Sequence, residues 1–242
     1  MLLAGSDLPA QRNNCNPTGT GRSGGNVPYD GRFIMTRISY FDYAYNDSWC
    51  FDWPAMERNF VLILREITQM HPRMDASQLF SFDNPELFKY PMVYLTEPGF
   101  WTPTPSELKG MRDYMLKGGF VFFDDFWDRS RYPEWNNFEA QFRRAFPDVI
   151  FFRLDNTEPI FDSFYKISNL AVPYPPNYID VTAEFYGVYE DNDPGKHMMA
   201  IVSYNSDLGD YMEWSGTGRS PINVSNDAFK FAVNFVVYAM TR

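Results

Sequence analysis

Asn84–Phe126 reads NPELFKYPMVYLTEPGFWTPTPSELKGMRDYMLKGGFVFFDDF, and the order of its segments decides the fold class. Pro91–Thr96 and Phe120–Phe123 are short, almost wholly apolar runs, the pattern of strands buried on both faces of a parallel sheet. Between them Leu108, Met111, Tyr114 and Met115 recur at helical spacing, and Gly118-Gly119 supplies a stop. Two parallel strands joined by a helix make a right-handed crossover unit. In open sheets of this kind ligands bind beyond the carboxyl ends of the strands, where Asp124 and Asp125 fall.

The flanking sequence continues the alternation. Phe33–Tyr40 is strand-prone throughout, and Pro54 precedes a helix expected over Ala55–Met70, with Met56, Phe60, Ile63, Leu64 and Ile67 on its core face. Leu79–Phe82 reads as a short strand. Glu134–Phe146 reads as a helix, with Phe138, Phe142 and Phe146 at four-residue spacing, and a strand follows at Val149–Arg153. Glu184–Glu190 and Met198–Tyr204 form a strand pair across the turn-rich Asp191–Lys196. Asn226 or Asp227 is placed to cap a last helix, Ala228–Met240. Strands alternating with helices predict an α/β domain with a mostly parallel sheet covered on both sides.

Composition narrows the function classes. The chain has 242 residues, enough for a core that does not depend on disulfides. A net charge of −10 opposes a nucleic-acid partner and an anionic membrane surface, both of which need clustered Lys and Arg. No run approaches the roughly 18 apolar residues of a spanning helix. Met1–Gly5 lacks the basic start of a signal peptide, although it suits the remnant of a processed leader. Aromatic residues reach 19%, which implies an aromatic core or an adhesive surface.

Residues 1–31 are polar and rich in Gly and Asn, without hydrophobic periodicity. They read as an extended N-terminal arm held by the parent domain or by another chain, and 32–242 as a single α/β domain. Cys15 and Cys50 are the only cysteines and His71 and His197 the only histidines, too few for a typical zinc site. A Cys15–Cys50 disulfide would pin the arm in an oxidising compartment; two unrelated thiols are the alternative.

Four motifs recur in order: Leu87-Phe88-Lys89-Tyr90-Pro91, Gly118-Gly119-Phe120 with Asp124-Asp125, Glu158-Pro159-Ile160-Phe161, and Ser206-Asp207-Leu208-Gly209-Asp210. On these the chain, from about Phe33 to Ala239, resembles the bacterial proteins grouped as domain of unknown function 4159. The resemblance implies a class I glutamine amidotransferase-like, flavodoxin-type three-layer sandwich, in a family whose members are often exported or membrane-tethered. The chain departs from the family pattern at Thr96-Glu97-Pro98-Gly99, where a small turn containing Gly or His is usual.

Amidotransferases of that fold carry a cysteine on a tight strand-to-helix elbow, backed by His and Glu. The comparable strand here ends in Phe123-Asp124-Asp125-Phe126, with no thiol for a base to activate. Adjacent strand residues point to opposite faces, so Asp124 and Asp125 form a close pair only if the backbone turns between them. One of them is a candidate cation ligand with Asp128, Asp207 or Asp210, in the manner of Ca²⁺ or Mg²⁺ sites. The commoner role for such an Asp is to cap a segment or accept loop N–H bonds. Ser206–Asp210 reads as a structured turn. Trp101, Trp127, Tyr132, Trp135 and Trp214 fall in or beside loops expected at one end of the sheet, suited to a protein interface or to sugar stacking. Packing of a lid over the sheet end is the alternative.

These readings converge on a non-catalytic interaction or scaffold subunit, needing no cofactor and no resident metal. It would hold a protein partner through the arm and the aromatic loops, in a membrane-associated assembly of the periplasm; a cytoplasmic protein with Cys15 and Cys50 reduced is the alternative location. The competing expectation is a carbohydrate-binding protein or hydrolase acting at the Asp124/Asp125 end of the sheet.

Overall fold

A computed structural model describes residues 26–42, 47–129, 132–171 and 181–241. Seven strands form one sheet: β1 (Thr36–Ile38), β2 (Gln78–Phe80), β3 (Met92–Thr96), β4 (Phe120–Asp124), β7 (Phe152–Arg153), β8 (Glu184–Tyr189) and β9 (Met198–Tyr204). A separate two-stranded ladder pairs β5 (Asp128–Arg129) with β6 (Tyr132–Pro133). The helices are α1 (Ala55–Ile67), α2 (Pro105–Leu116), α3 (Glu134–Ala145), α4 (Leu208–Glu213) and α5 (Ile222–Thr241). None of the described helices is long and apolar enough to cross a membrane.

The sheet runs β2-β1-β3-β4-β9-β8-β7. The first five strands are parallel, and β8 pairs antiparallel with both β9 and β7. The chain leaves β1 for one neighbour, β2, and then returns on the other side as β3. That reversal places a topological switch point between the carboxyl ends of β1 and β3, where doubly wound sheets hold their ligands.

The crossover that decides the fold class forms for local reasons. Thr104 accepts the Glu107 N–H on its side chain while the Glu107 carboxylate accepts the Thr104 N–H, a reciprocal cap with Pro105 at the first helical position. Gly118 closes the helix at φ +94°. Register then pairs Met92 with Phe120 and Thr96 with Asp124, so β3 and β4 end side by side.

Alternation along β4 divides the core. Phe120 and Phe122 join α1, α4 and α5 on one face, whereas Val121 and Phe123 join α2 and α3 on the other. Phe123 meets Trp101, Phe138 and Phe142 at ring-centroid distances of 6.3, 5.1 and 5.9 Å. The aromatic content therefore builds the core to a large extent. Trp101 and Trp127 are buried, and Trp135 stacks on Phe126 among Phe138, Phe151, Tyr186 and Tyr204.

Besides shorter ends at β1, α1 and β7, two elements differ from the sequence expectation. The last helix begins at Ile222, not after Asn226 or Asp227, because Val224 and Ser225 are buried and their N–H groups bond the Pro221 carbonyl. Ser206–Asp210, expected to be a turn, opens a short helix, with the Asp207 carboxylate accepting the Asp210 N–H at 2.7 Å.

Of the arm, 26–31 is described and docks on its own domain. Asn26 donates to the Leu79 carbonyl and accepts the Leu79 N–H, both at 2.7 Å. This side chain covers the edge strand β2 as a neighbouring strand would. Cys50 is buried and is not a free thiol. Cys15, the expected partner, lies outside the described residues, as does the rest of the arm.

Candidate functional site

Three neighbouring parallel strands end in the same manner. Glu97 after β3, Asp125 after β4 and Asn205 after β9 each adopt a left-handed backbone, at φ +52°, +66° and +54°. Asp and Asn tolerate that region best among non-glycine residues, and such conformations cluster at functional sites. The strands are tied together past their ends: Glu97 N–H bonds the Asp124 carbonyl, Asp125 N–H the Ser206 carbonyl, and Asn205 N–H the Phe126 carbonyl.

The turn at Asp125 changes where its carboxylate goes. Tyr94 and Thr96, two apart on β3, share a face. Tyr94 donates its hydroxyl to Asp124 Oδ2 at 3.3 Å, and Thr96 donates to Asp125 Oδ2 at 3.1 Å. Both aspartates therefore reach the same side of the sheet, the side of α1, α4 and α5. The condition set by strand geometry, a turn between them, is met.

Their partners differ. Asp124 Oδ2 accepts the N–H groups of Leu208 and Gly209 at 3.0 Å each, holding the first turn of α4 against the end of β4. Burial nevertheless pushes its pKa up to about 7, against the lowering effect of the Gly209 N–H. Asp125 is pushed well above the usual carboxylate range, first by burial and then by Asp210 and Asp124. Asp207 is raised by burial and by Asp125 and Asp210.

A further carboxylate, Asp52, completes the cluster. It lies between β1 and α1, at φ +64°, with its carbonyl accepting the Met56 N–H. Burial, then Asp210 and Asp125, raise its pKa well above normal; Arg37 opposes them. Nothing in the sequence around Asp52 marks it, since it sits among aromatic loop residues without a motif. Arg37 was legible only as a strand position. In the fold it is a buried cation that donates to Glu57 Oε1 at 2.5 Å and to the carbonyls of Trp49 and Phe51, with its guanidinium 4.8 Å from the Tyr94 ring centroid.

The Thr96–Gly99 loop is held by hydrogen bonds from two sides. Tyr40 donates its hydroxyl to the carbonyls of Thr96 and Glu97 at 2.9 and 2.8 Å, and Asn137 donates to those of Gly99 and Trp101. Gly99 packs directly on Glu134, leaving no room for a β-carbon.

The fold gathers Asp124, Asp125, Asp207 and Asp210 from the sequence candidates and adds Asp52. It does not bring the tryptophans into that cluster as an open platform. Trp101 and Trp127 are buried, Trp135 packs in the second core, and Trp214 is half-buried under the Arg219 guanidinium at 4.7 Å. Tyr132 belongs to β6.

A family model described as domain of unknown function (DUF4159) matches residues 36–240, and the chain belongs to that family. No curated protein matches it.

Proposed function

We propose that this family member is a non-catalytic scaffold subunit that holds a protein partner in a membrane-associated assembly outside the cytoplasm. The scaffold would be a flavodoxin-type, class I glutamine amidotransferase-like sandwich. In support of that finer fold, the parallel strands run in the order β2-β1-β3-β4-β9, the succession of flavodoxin-like sheets.

One observation carries the reading. At the end of β4, the position of the amidotransferase nucleophile by resemblance, the chain has two carboxylates engaged in holding the fold. Asp124 is bonded to two α4 amides and Asp125 to Thr96. The absence of a free thiol at Cys50 supports an oxidising compartment.

The test is co-purification from native membranes, followed by reconstitution with the purified partner. Removal of residues 1–25 leaves the Asn26 cover on β2 in place and is expected to abolish the assembly. A complex that survives both this truncation and substitution of the exposed aromatics Tyr29, Phe41 and Phe164 would refute the partner-holding role.

A second reading, a carbohydrate-binding protein or hydrolase working at the Asp124/Asp125 end, is favoured by carboxylates with raised pKa beside the switch point. It requires ligand binding or turnover that Asp125→Asn abolishes while the fold, followed by circular dichroism, persists.

A further inference from the structure

Two sets of three acidic side chains overlap at Asp52. Asp52, Asp125 and Asp207 each place one carboxylate oxygen within 4.8 Å of the other two, and so do Asp52, Asp210 and Glu213. Ca²⁺ holds oxygen ligands at about 2.3–2.6 Å, so two oxygens on one ion stand no more than about 5 Å apart. The inner set fits that limit.

Burial distinguishes the inner set from an ordinary acidic surface. Asp52, Asp125 and Asp207 are 7%, 5% and 4% exposed. Independently of how many acids gather, Asp52 Oδ2 is buried and has no hydrogen-bond donor. It is aimed at the start of α4, where a β-carbon added to Gly209 would collide with it, beside Asp207 and Asp210. A buried ionised carboxylate oxygen without a donor is costly unless a cation meets it or the group takes up a proton, as the raised pKa of Asp52 and its contact with Asp210 allow when no ion is bound. Arg37 does not serve as that cation: its Nε and Nη1 are bonded to Glu57 and to two carbonyls, and its Nη2 is itself buried without an acceptor, making no hydrogen bond to Asp52.

We propose that Asp52, Asp125 and Asp207 bind a hard divalent cation of the Ca²⁺ or Mg²⁺ class. The ion ties the β1–α1 connection to the ends of β4 and β9, at the switch point of the sheet. Thr96, by donating to Asp125 Oδ2, orients one ligand. The partly exposed pair Asp210 and Glu213 continues the acidic path toward solvent and admits the ion. All the groups offered are oxygens, which excludes a soft-metal preference. This site is independent of the scaffold reading, and either can fail alone.

The experiment uses the full chain, freed of metal by chelator and dialysed, then titrated with CaCl₂, MgCl₂ and MnCl₂ by calorimetry and thermal unfolding. One ion per chain is expected, with the unfolding midpoint raised by about 5–10 °C at a hundredfold excess over the dissociation constant. Asp52→Asn and Asp125→Asn keep the side-chain volume and should weaken binding at least tenfold. Glu213→Gln, at the outer set, should weaken it less. Asp227→Asn, remote and exposed beside Lys230, should leave it unchanged. The titration of the unaltered protein needs no variant to fold: no heat and no midpoint shift with any of the three ions overturns the site. Equal binding by Asp52→Asn, or equal weakening by Asp227→Asn, overturns its location.

Discussion

Gly209 donates its backbone N–H to Asp124 Oδ2 at 3.0 Å across 85 positions of sequence. A second bond, from Leu208 N–H to the same oxygen, is equally short. One carboxylate at a strand end thus sets the position of α4 and, through it, of Asp207 and Asp210. Gly209 is required here for space and not for conformation: an added β-carbon would strike Asp52 Oδ2 and stand 2.7 Å from the Tyr94 hydroxyl. Gly209→Ala is expected to destabilise the fold by about 1–3 kcal/mol, measured by urea unfolding. A loss under about 0.5 kcal/mol would show that α4 can move away from the cluster.

Arg37 and Glu57 make an ion pair at 2.5 Å, with side chains 0% and 3% exposed. Removing one partner leaves a charge stranded in the core. Glu57→Ala is therefore expected to cost about 3–5 kcal/mol, and the double variant Arg37→Met/Glu57→Leu distinctly less than the sum of the single changes. Additive single and double losses in a mutant cycle would deny the coupling.

Phe123 packs between β4 and the α2/α3 layer, against Trp101, Phe138 and Phe142. Phe123→Ala should cost about 3–5 kcal/mol. Phe88→Ala, at a ring 44% exposed beside Lys117, should cost about 1 kcal/mol or less. Chemical denaturation of both variants checks the contrast, and similar losses would contradict the assigned core.

Half-burial lowers the pKa of His197, opposed by Glu190. A depressed value in the folded state means that the unfolded chain binds the extra proton first. The associated stability is complete above about pH 6.5, the ordinary histidine value, and is lost as pH falls through the folded value. His197→Gln should remove this acid-side loss, so its melting temperature should gain on the unaltered protein between pH 7 and pH 5. Parallel melting curves across that range would reject the effect.

Sequence reading located β3 and β4 to within a residue or so and found the core stripe and stop of α2, because each carries its own short-range signal: an apolar run, a helical stripe, a glycine stop. The same signal was weak at the start of α5, where Asn223, Ser225 and Asn226 interrupt the apolar pattern. It was absent for α4, whose six residues are too few to display a period. Asp124 and Asp125 could be placed at a strand end from sequence; that they share a face could not, since this depends on the left-handed turn at Asp125.

What the chain's order of residues determined alone is the α/β class, the crossover and the position of two aspartates at a carboxyl edge. These follow from periodicities within some ten to fifteen neighbours. Tertiary structure alone decided that Asp52, from the β1–α1 connection, meets Asp125 and Asp207, and that Arg37 pairs with Glu57. Such meetings are set by which strands become neighbours and by where the sheet reverses its winding, and no local pattern encodes a contact between segments that only packing brings together.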